Sequence, residues 1–321
     1  MRNRILPALL CILLIYASVP AGSLDKKEVA ADAKWVLHLD LDAFRDSQLG
    51  TLVLDKIHST HQDQIDAMKE LLGLDLTADI HSLTGYGTDA DEKTAVALFH
   101  GSFDKEKMLA LLKLNEHHTT MDYNDHTIHL WAEDKSNKAQ AGTFITGDLI
   151  AISQSEESVK KAIDVVNTKV ASLDSNRQTP LFSLTDRPGR PILLLAVDSL
   201  SELTDDDTKA AVLKNSKMLA VLAAEDDGQL SLSIELVTEN TEAATQIEQI
   251  IRGMIAFATL EAKKKPALEK ILSNLSLMRT DNLLNLNFSY PSADLFELLQ
   301  SADDLDIDFD MGDFDADLDL D

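Results

Sequence analysis

Apolar residues recur along this chain at two periods, and the switches between them mark its elements. Trp35, Leu37, Leu39 and Leu41 fall on one face at a period of two, which predicts a half-buried strand. From Ala43 to about Leu72 the pattern is helical, with a break expected near His58-Ser59-Thr60. Thr94 to Phe99 is a compact apolar strand, followed by a helix from Asp104 to Leu114 with Met108, Leu109 and Leu112 inward. Two hairpins are expected next, turning at Asn124-Asp125 and Gly147-Asp148. Ser153 and Glu156 have the spacing of a capping box, opening a helix that carries Val159, Ile163, Val166 and Val170.

A polar stretch from Ser172 to Arg190, with Pro180, Pro188 and Gly189, separates a second pass. Ile192 to Val197 reads as a strand. A hairpin from Lys217 to Val237 turns at Asp226-Asp227-Gly228. The helix expected over Thr241 to Lys264 places Ile247, Ile250, Ile251, Met254, Ile255 and Ala258 on its buried side. A last hairpin turns near Asp281-Asn282, and Pro291 opens a final helix ending near Ser301. Hairpins mixed with covering helices predict an α+β protein of two related lobes, each with helices over one sheet face. The expected divisions are 1–21, 22–180, 181–302 and 303–321.

The first division reads as a secretory signal peptide. Arg2 and Arg4 precede an apolar run from Ile5 to Val19, and Val19-Pro20-Ala21 forms a small-residue exit. The run is too short to serve comfortably as a permanent membrane anchor. Cleavage after Ala21 would release a periplasmic or extracellular chain. The single cysteine, Cys11, would leave with the leader, so no disulfide, thiolate metal site or cysteine nucleophile is expected after cleavage.

Charge narrows the partners. The full chain carries a formal net charge of −26, and loses two more positive groups with Arg2 and Arg4. Such a field repels nucleic acid and anionic lipid heads and attracts divalent cations and basic partners. The run Lys263-Lys264-Lys265 reads as cationic complement to the end of a helix rather than as a binding patch. Residues 303–321 hold ten aspartates and no basic residue, interleaved with Ile307, Phe309, Met311, Leu318 and Leu320. Self-repulsion predicts disorder in isolation, and the interleaving offers a face that a partner could order as an added strand.

Three sets of residues could hold a cation. Asp306, Asp308 and Asp310, with Asp313, resemble the opening of a calcium loop. Met311 occupies the position where that loop needs glycine, and its closing glutamate is missing, so only weak calcium association is expected. His38, Asp40 and Asp42 would share the strand face opposite Trp35. That set suits a divalent metal or acid–base pair, or a solvated face with Asp42 capping the next helix. A turn at Asn124-Asp125 would pair Tyr123 with His126 and Thr120 with His129. His118 and His129 then become diagonal neighbours and His126 points away.

Nucleophile and nucleotide motifs have no supporting context. Three S-x-x-K matches stand without companion motifs, and Gly85-Tyr86-Gly87 lacks the third glycine of a phosphate loop. No catalytic residue and no resident cofactor are therefore assigned.

The segment Ala33-Lys34-Trp35-Val36-Leu37-His38-Leu39-Asp40-Leu41-Asp42, with Phe44-Arg45 and Leu49-Gly50, resembles functionally uncharacterised secreted proteins of planctomycete-like bacteria. The resemblance implies a Gram-negative-type envelope and no activity. The expected function is a non-enzymatic exported binding protein whose acidic tail engages divalent cations or a basic, partly apolar partner. The alternative is a metal-dependent hydrolase built on His38, Asp40 and Asp42 or on His118 and His129.

Overall fold

Among the described residues of the chain's computed structural model, the strands pair antiparallel in a single twelve-stranded sheet. The structure describes residues 22–132, 139–187, 189–200, 215–262 and 266–301. The strands are β1 (Trp35–Asp40), β2 (Ile80–Gly87), β3 (Val96–Gly101), β4 (Thr119–Tyr123), β5 (His126–Ala132) and β6 (Ala139–Phe144). They continue with β7 (Leu149–Ser153), β8 (Leu193–Asp198), β9 (Ser216–Asp226), β10 (Gln229–Thr238), β11 (Leu275–Thr280) and β12 (Leu283–Pro291). Their spatial order is β11-β12-β10-β9-β8-β1-β2-β3-β7-β6-β5-β4.

Each half follows a comparable path. β1, β2 and β3 form a meander, and after further elements β7 returns to pair with β3. β8, β9 and β10 form another meander, and β12 returns to pair with β10. The halves meet where β1 pairs with β8, Trp35 opposite Val197 and Leu39 opposite Leu193, so hydrogen bonding continues across the middle of the sheet.

The helices are α1 (Leu41–Asp46), α2 (Gln48–Leu72), α3 (Lys105–Leu112), α4 (Glu156–Val166), α5 (Pro180–Thr185), α6 (Thr241–Ala262), α7 (Pro266–Ser273) and α8 (Ser292–Ser301). They lie on both faces of the sheet, which corrects the expectation of one covered face. The first face carries Val36, His38, Asp40, Leu98, Leu194 and Ala196. It packs against α4, α5 and the segment containing Val29, Ala30 and Ala33. Val159, Ala162, Ile163 and Val165 form the stripe that α4 buries there. The second face carries Trp35, Leu195, Val197, Leu236 and Leu284, where Ile247 and Ile251 of α6 pack. The reason is the pleat: both faces of the central strands are apolar, so each needs its own cover.

Several local expectations change. Ser153 does not cap α4. Its Oγ donates to the Ala95 carbonyl, and the N-cap is Ser155 without a side-chain bond. Ile250 and Met254 are exposed rather than buried, as are Phe257 and Leu260. Apolar residues occupy so much of the circumference of α6 that the sheet can cover only the Ile247–Ile251 edge. The helical region after Leu41 kinks at His61, beside Thr60, whose hydroxyl bonds back to the Lys56 carbonyl and so favours a bend. The Ser172–Arg190 stretch contains α5, and Leu173, Leu181 and Leu184 are buried in the larger core. Residues 1–21, 263–265 and 303–321 lie outside the described residues, and with them the expected leader, the lysine run and the acidic tail.

Candidate functional site

His38 and Asp40 project from the first face of β1, as their spacing requires, but that face is the buried one. Their side chains are 2% and 1% exposed, which overturns the alternative of a solvated face. Asp42 lies in α1, off the strand, so the three do not form the expected row. Asp40, not Asp42, caps α1, accepting from the Ala43 N–H at 2.7 Å.

A buried carboxylate must be paired, and Arg190 supplies the partner. Its Nε and Nη2 reach the two oxygens of Asp40 at 2.6 and 2.8 Å. His38 is held at both ring nitrogens, Nδ1 at 2.9 Å from Thr84 Oγ1 and Nε2 at 2.9 Å from the Gly22 carbonyl. Burial pushes its imidazole down to about 4, against weaker upward pulls from the Gly22 carbonyl and Asp40. Asp42 bonds Arg45 and His81 instead. Burial works against its ionisation, but His81 and Arg45 hold its carboxyl below the usual range.

The β4–β5 hairpin has the predicted register, Tyr123 opposite His126 and Thr120 opposite His129. His118 and His129 are brought together, Nε2 to Nδ1 at 3.0 Å. His126 turns away and meets Asn167 beyond α4. His129 is buried, and burial, His118, Lys105 and Lys113 together hold its imidazole below the ordinary value. Lysines beside the pair oppose a bound cation. Among the described residues, no group of three or more His, Cys, Asp or Glu could hold a metal ion. Asp306, Asp308, Asp310 and Asp313 lie outside those residues.

A trough of about 690 Å³ opens on the second face. Its floor is Trp35, Gly85, Ala97, Ile152, Leu195 and Val197, from five adjacent strands, and Asp89, Asp91 and Glu92 line it from the β2–β3 loop. Trp35 lies flat across β2: a Cβ at Gly87 would sit 2.7 Å from its indole nitrogen, which donates to the Asp89 carbonyl at 2.9 Å. That close approach explains Gly87, and Gly85 and Gly87 together hid this strand from the periodicity. A separate apolar cavity of about 240 Å³ lies between α3 and the sheet, lined by Met108, Leu109, Leu112 and Trp131.

Reasoning from sequence missed Arg190, Thr84, Gly22 and the trough. Arg190 sits 150 positions from Asp40, in a stretch whose prolines and glycine signal only a turn. Nothing local links the two.

No family model matches the sequence, and no curated protein matches it. Solved structures of TP0453, a Treponema protein, are similar in outline. Crystal form III superposes with a TM-score of 0.48 at 10% identity, covering 87% of this chain and 99% of that one. Crystal form I gives 0.46 at 10%, covering 87% and 98%. No helix among the described residues is long and apolar enough to cross a membrane.

Proposed function

We propose that this chain is an exported, non-enzymatic binding protein of a bacterial envelope, and that the trough on its second face receives a basic, partly apolar partner segment. The trough itself carries the reading. An apolar floor with acidic residues beside it suits a ligand that buries aliphatic groups and presents cations. The Asp-rich residues 303–321 carry the same sign and would draw the same partner, or weakly associated calcium, towards the protein. The buried titratable groups support a binding role too: Asp40 and His38 are engaged in bonds that hold α1, β1 and β2 together. The comparable paths of the two halves support the further reading that they are related lobes joined edge to edge.

Trp35 and Trp131 are the only tryptophans, so fluorescence can test the site. In a Trp131→Phe variant, a peptide of alternating lysine and leucine should shift Trp35 emission to the blue, with affinity falling as salt rises. An unchanged spectrum at saturating peptide would remove the trough as the binding site. Deleting residues 303–321 should leave the melting temperature nearly unchanged and weaken calcium or peptide association. Identical titrations of both forms would remove the tail from the reading.

A further inference from the structure

The cavity under α3 combines an apolar body with a polar group that has no partner. Trp131, Phe144 and Ile150 of the sheet and Met108, Leu109 and Leu112 of α3 line its volume of about 240 Å³. The Trp131 indole lies across Gly142, where a built Cβ would come within 3.0 Å of the ring. The indole therefore stays low on the sheet and leaves that space open. An apolar cavity of about 150 Å³ takes up one benzene molecule, so this one suits a body of roughly eight carbons.

Two polar side chains share the lining. Thr143 is satisfied, its Oγ1 donating to the Thr127 carbonyl at 2.9 Å. His129 is only half satisfied. The residue is 7% exposed, and its Nδ1 meets His118 Nε2 at 3.0 Å. The ring planes are 17° apart and their centroids 5.3 Å, so this bond runs along the rings rather than between stacked faces. The other nitrogen, Nε2, has no hydrogen-bond partner among the described residues, yet it keeps accessible surface.

Charge around His129 is the reverse of that of the chain as a whole. Lys105, Lys113 and His118 act on its imidazole, and no carboxylate among the described residues does. Lys105 Nζ stands 5.1 Å from the centre of the Phe144 ring, and Lys113 follows Leu112 at the end of α3. Neither lysine forms an ion pair among the described residues. A neutral imidazole carries one proton. When His118 Nε2–H donates to His129 Nδ1, that proton sits on His129 Nε2, which then presents an N–H. The opposite tautomer presents a lone pair and calls for a cation, which the lysines repel.

We propose that this cavity binds an apolar carboxylate, an aliphatic acid of about eight carbons in its anionic form. The chain lies between α3 and Trp131, and the carboxylate accepts from His129 Nε2–H beside Lys105 and Lys113. This site takes an anion, whereas the acidic residues of the trough call for a cation, and it does not depend on the reading of the trough.

The test uses the full chain with Trp35→Phe, which leaves Trp131 as the reporter. Sodium octanoate should change Trp131 emission saturably. Octylammonium, with the same chain and the opposite charge, should bind at least about tenfold more weakly. Because the fluorescence variant can lose stability, histidine-selective NMR of the unsubstituted chain gives a second reading. Octanoate should shift the His129 resonances and raise its pKa, since a nearby carboxylate favours the imidazolium. Lys105→Met combined with Lys113→Met removes only exposed charge. It should weaken octanoate by about tenfold and leave octanol binding unchanged. Unmoved Trp131 emission and His129 resonances up to the highest soluble octanoate would overturn the site. Equal affinity for octanoate and octylammonium would overturn the carboxylate as its ligand.

Discussion

The two faces of the sheet solve the same packing problem differently. On the first face α4, α5 and the N-terminal segment close over β1, β2, β3 and β7, leaving Leu98, Ile163 and Leu173 fully buried. On the second face α6 touches the sheet through Ile247 and Ile251, while Met254 and Phe257 remain 66% and 68% exposed and the trough stays open beside it. The closed face traps polar groups that must then be paired, as Asp40 and His38 are. The open face also buries a polar pair, His118 with His129 beside α3, but keeps more of its apolar surface uncovered. Tight packing and uncovered apolar surface are thus divided between the two sides of one sheet.

The sharpest way to break this contrast is Arg190→Met, which leaves Asp40 charged and buried. Removing one partner of a buried pair costs about 3–5 kcal/mol, so urea unfolding should show that loss or no folded protein. A variant of wild-type stability would mean that water reaches Asp40. Next comes Ile163→Ala, expected to cost about 2–5 kcal/mol through lost burial and an unfilled cavity. Ile247→Ala should lie near the bottom of that range, because α6 can settle onto the sheet. Equal costs would erase the distinction between the faces.

Acidification offers a third test. The His38 imidazole falls from 6.5 to about 4 on folding, so the unfolded chain binds more protons between those values. Stability therefore rises with pH through that window and is lost as pH falls from 6.5 towards 4, by at most about 3 kcal/mol. His129, also lowered, adds to the loss. His100 opposes it: burial pulls its imidazole down, but Glu28 at 2.7 Å, with Asp148 and Asp25, raises it overall, so its contribution persists in acid. Unfolding midpoints of wild type and His38→Gln should converge as pH drops; parallel curves would remove His38 as the cause. The smallest effect belongs to the open face. Phe257→Ser on α6 should change stability by no more than about 0.5 kcal/mol. A loss of several times that would show that α6 is covered in solution.

How much of this was legible depended on the range of the interaction. The β4–β5, β6–β7, β9–β10 and β11–β12 hairpins were readable because each turn and its flanking alternation lie together in sequence. Asn124, Asp125, Asp227 and Asp281 adopt positive φ, as short polar residues in tight turns can. β2 was not readable, because Gly85 and Gly87 remove the apolar marks that a strand reading needs. The reason for Gly87 is Trp35, on the neighbouring strand.

Sequence by itself determined the α+β class, most strand and helix positions and the pairing of His118 with His129, since each follows from periods and turns within a few tens of residues. Only the tertiary structure decided that Val36, His38 and Asp40 face a closed core, that Arg190 pairs with Asp40, and that the second face opens into a trough. Alternation along a strand separates its two faces but does not say which one the rest of the chain will cover. That choice belongs to α4, α5 and α6, whose placement is set by contacts far away in sequence.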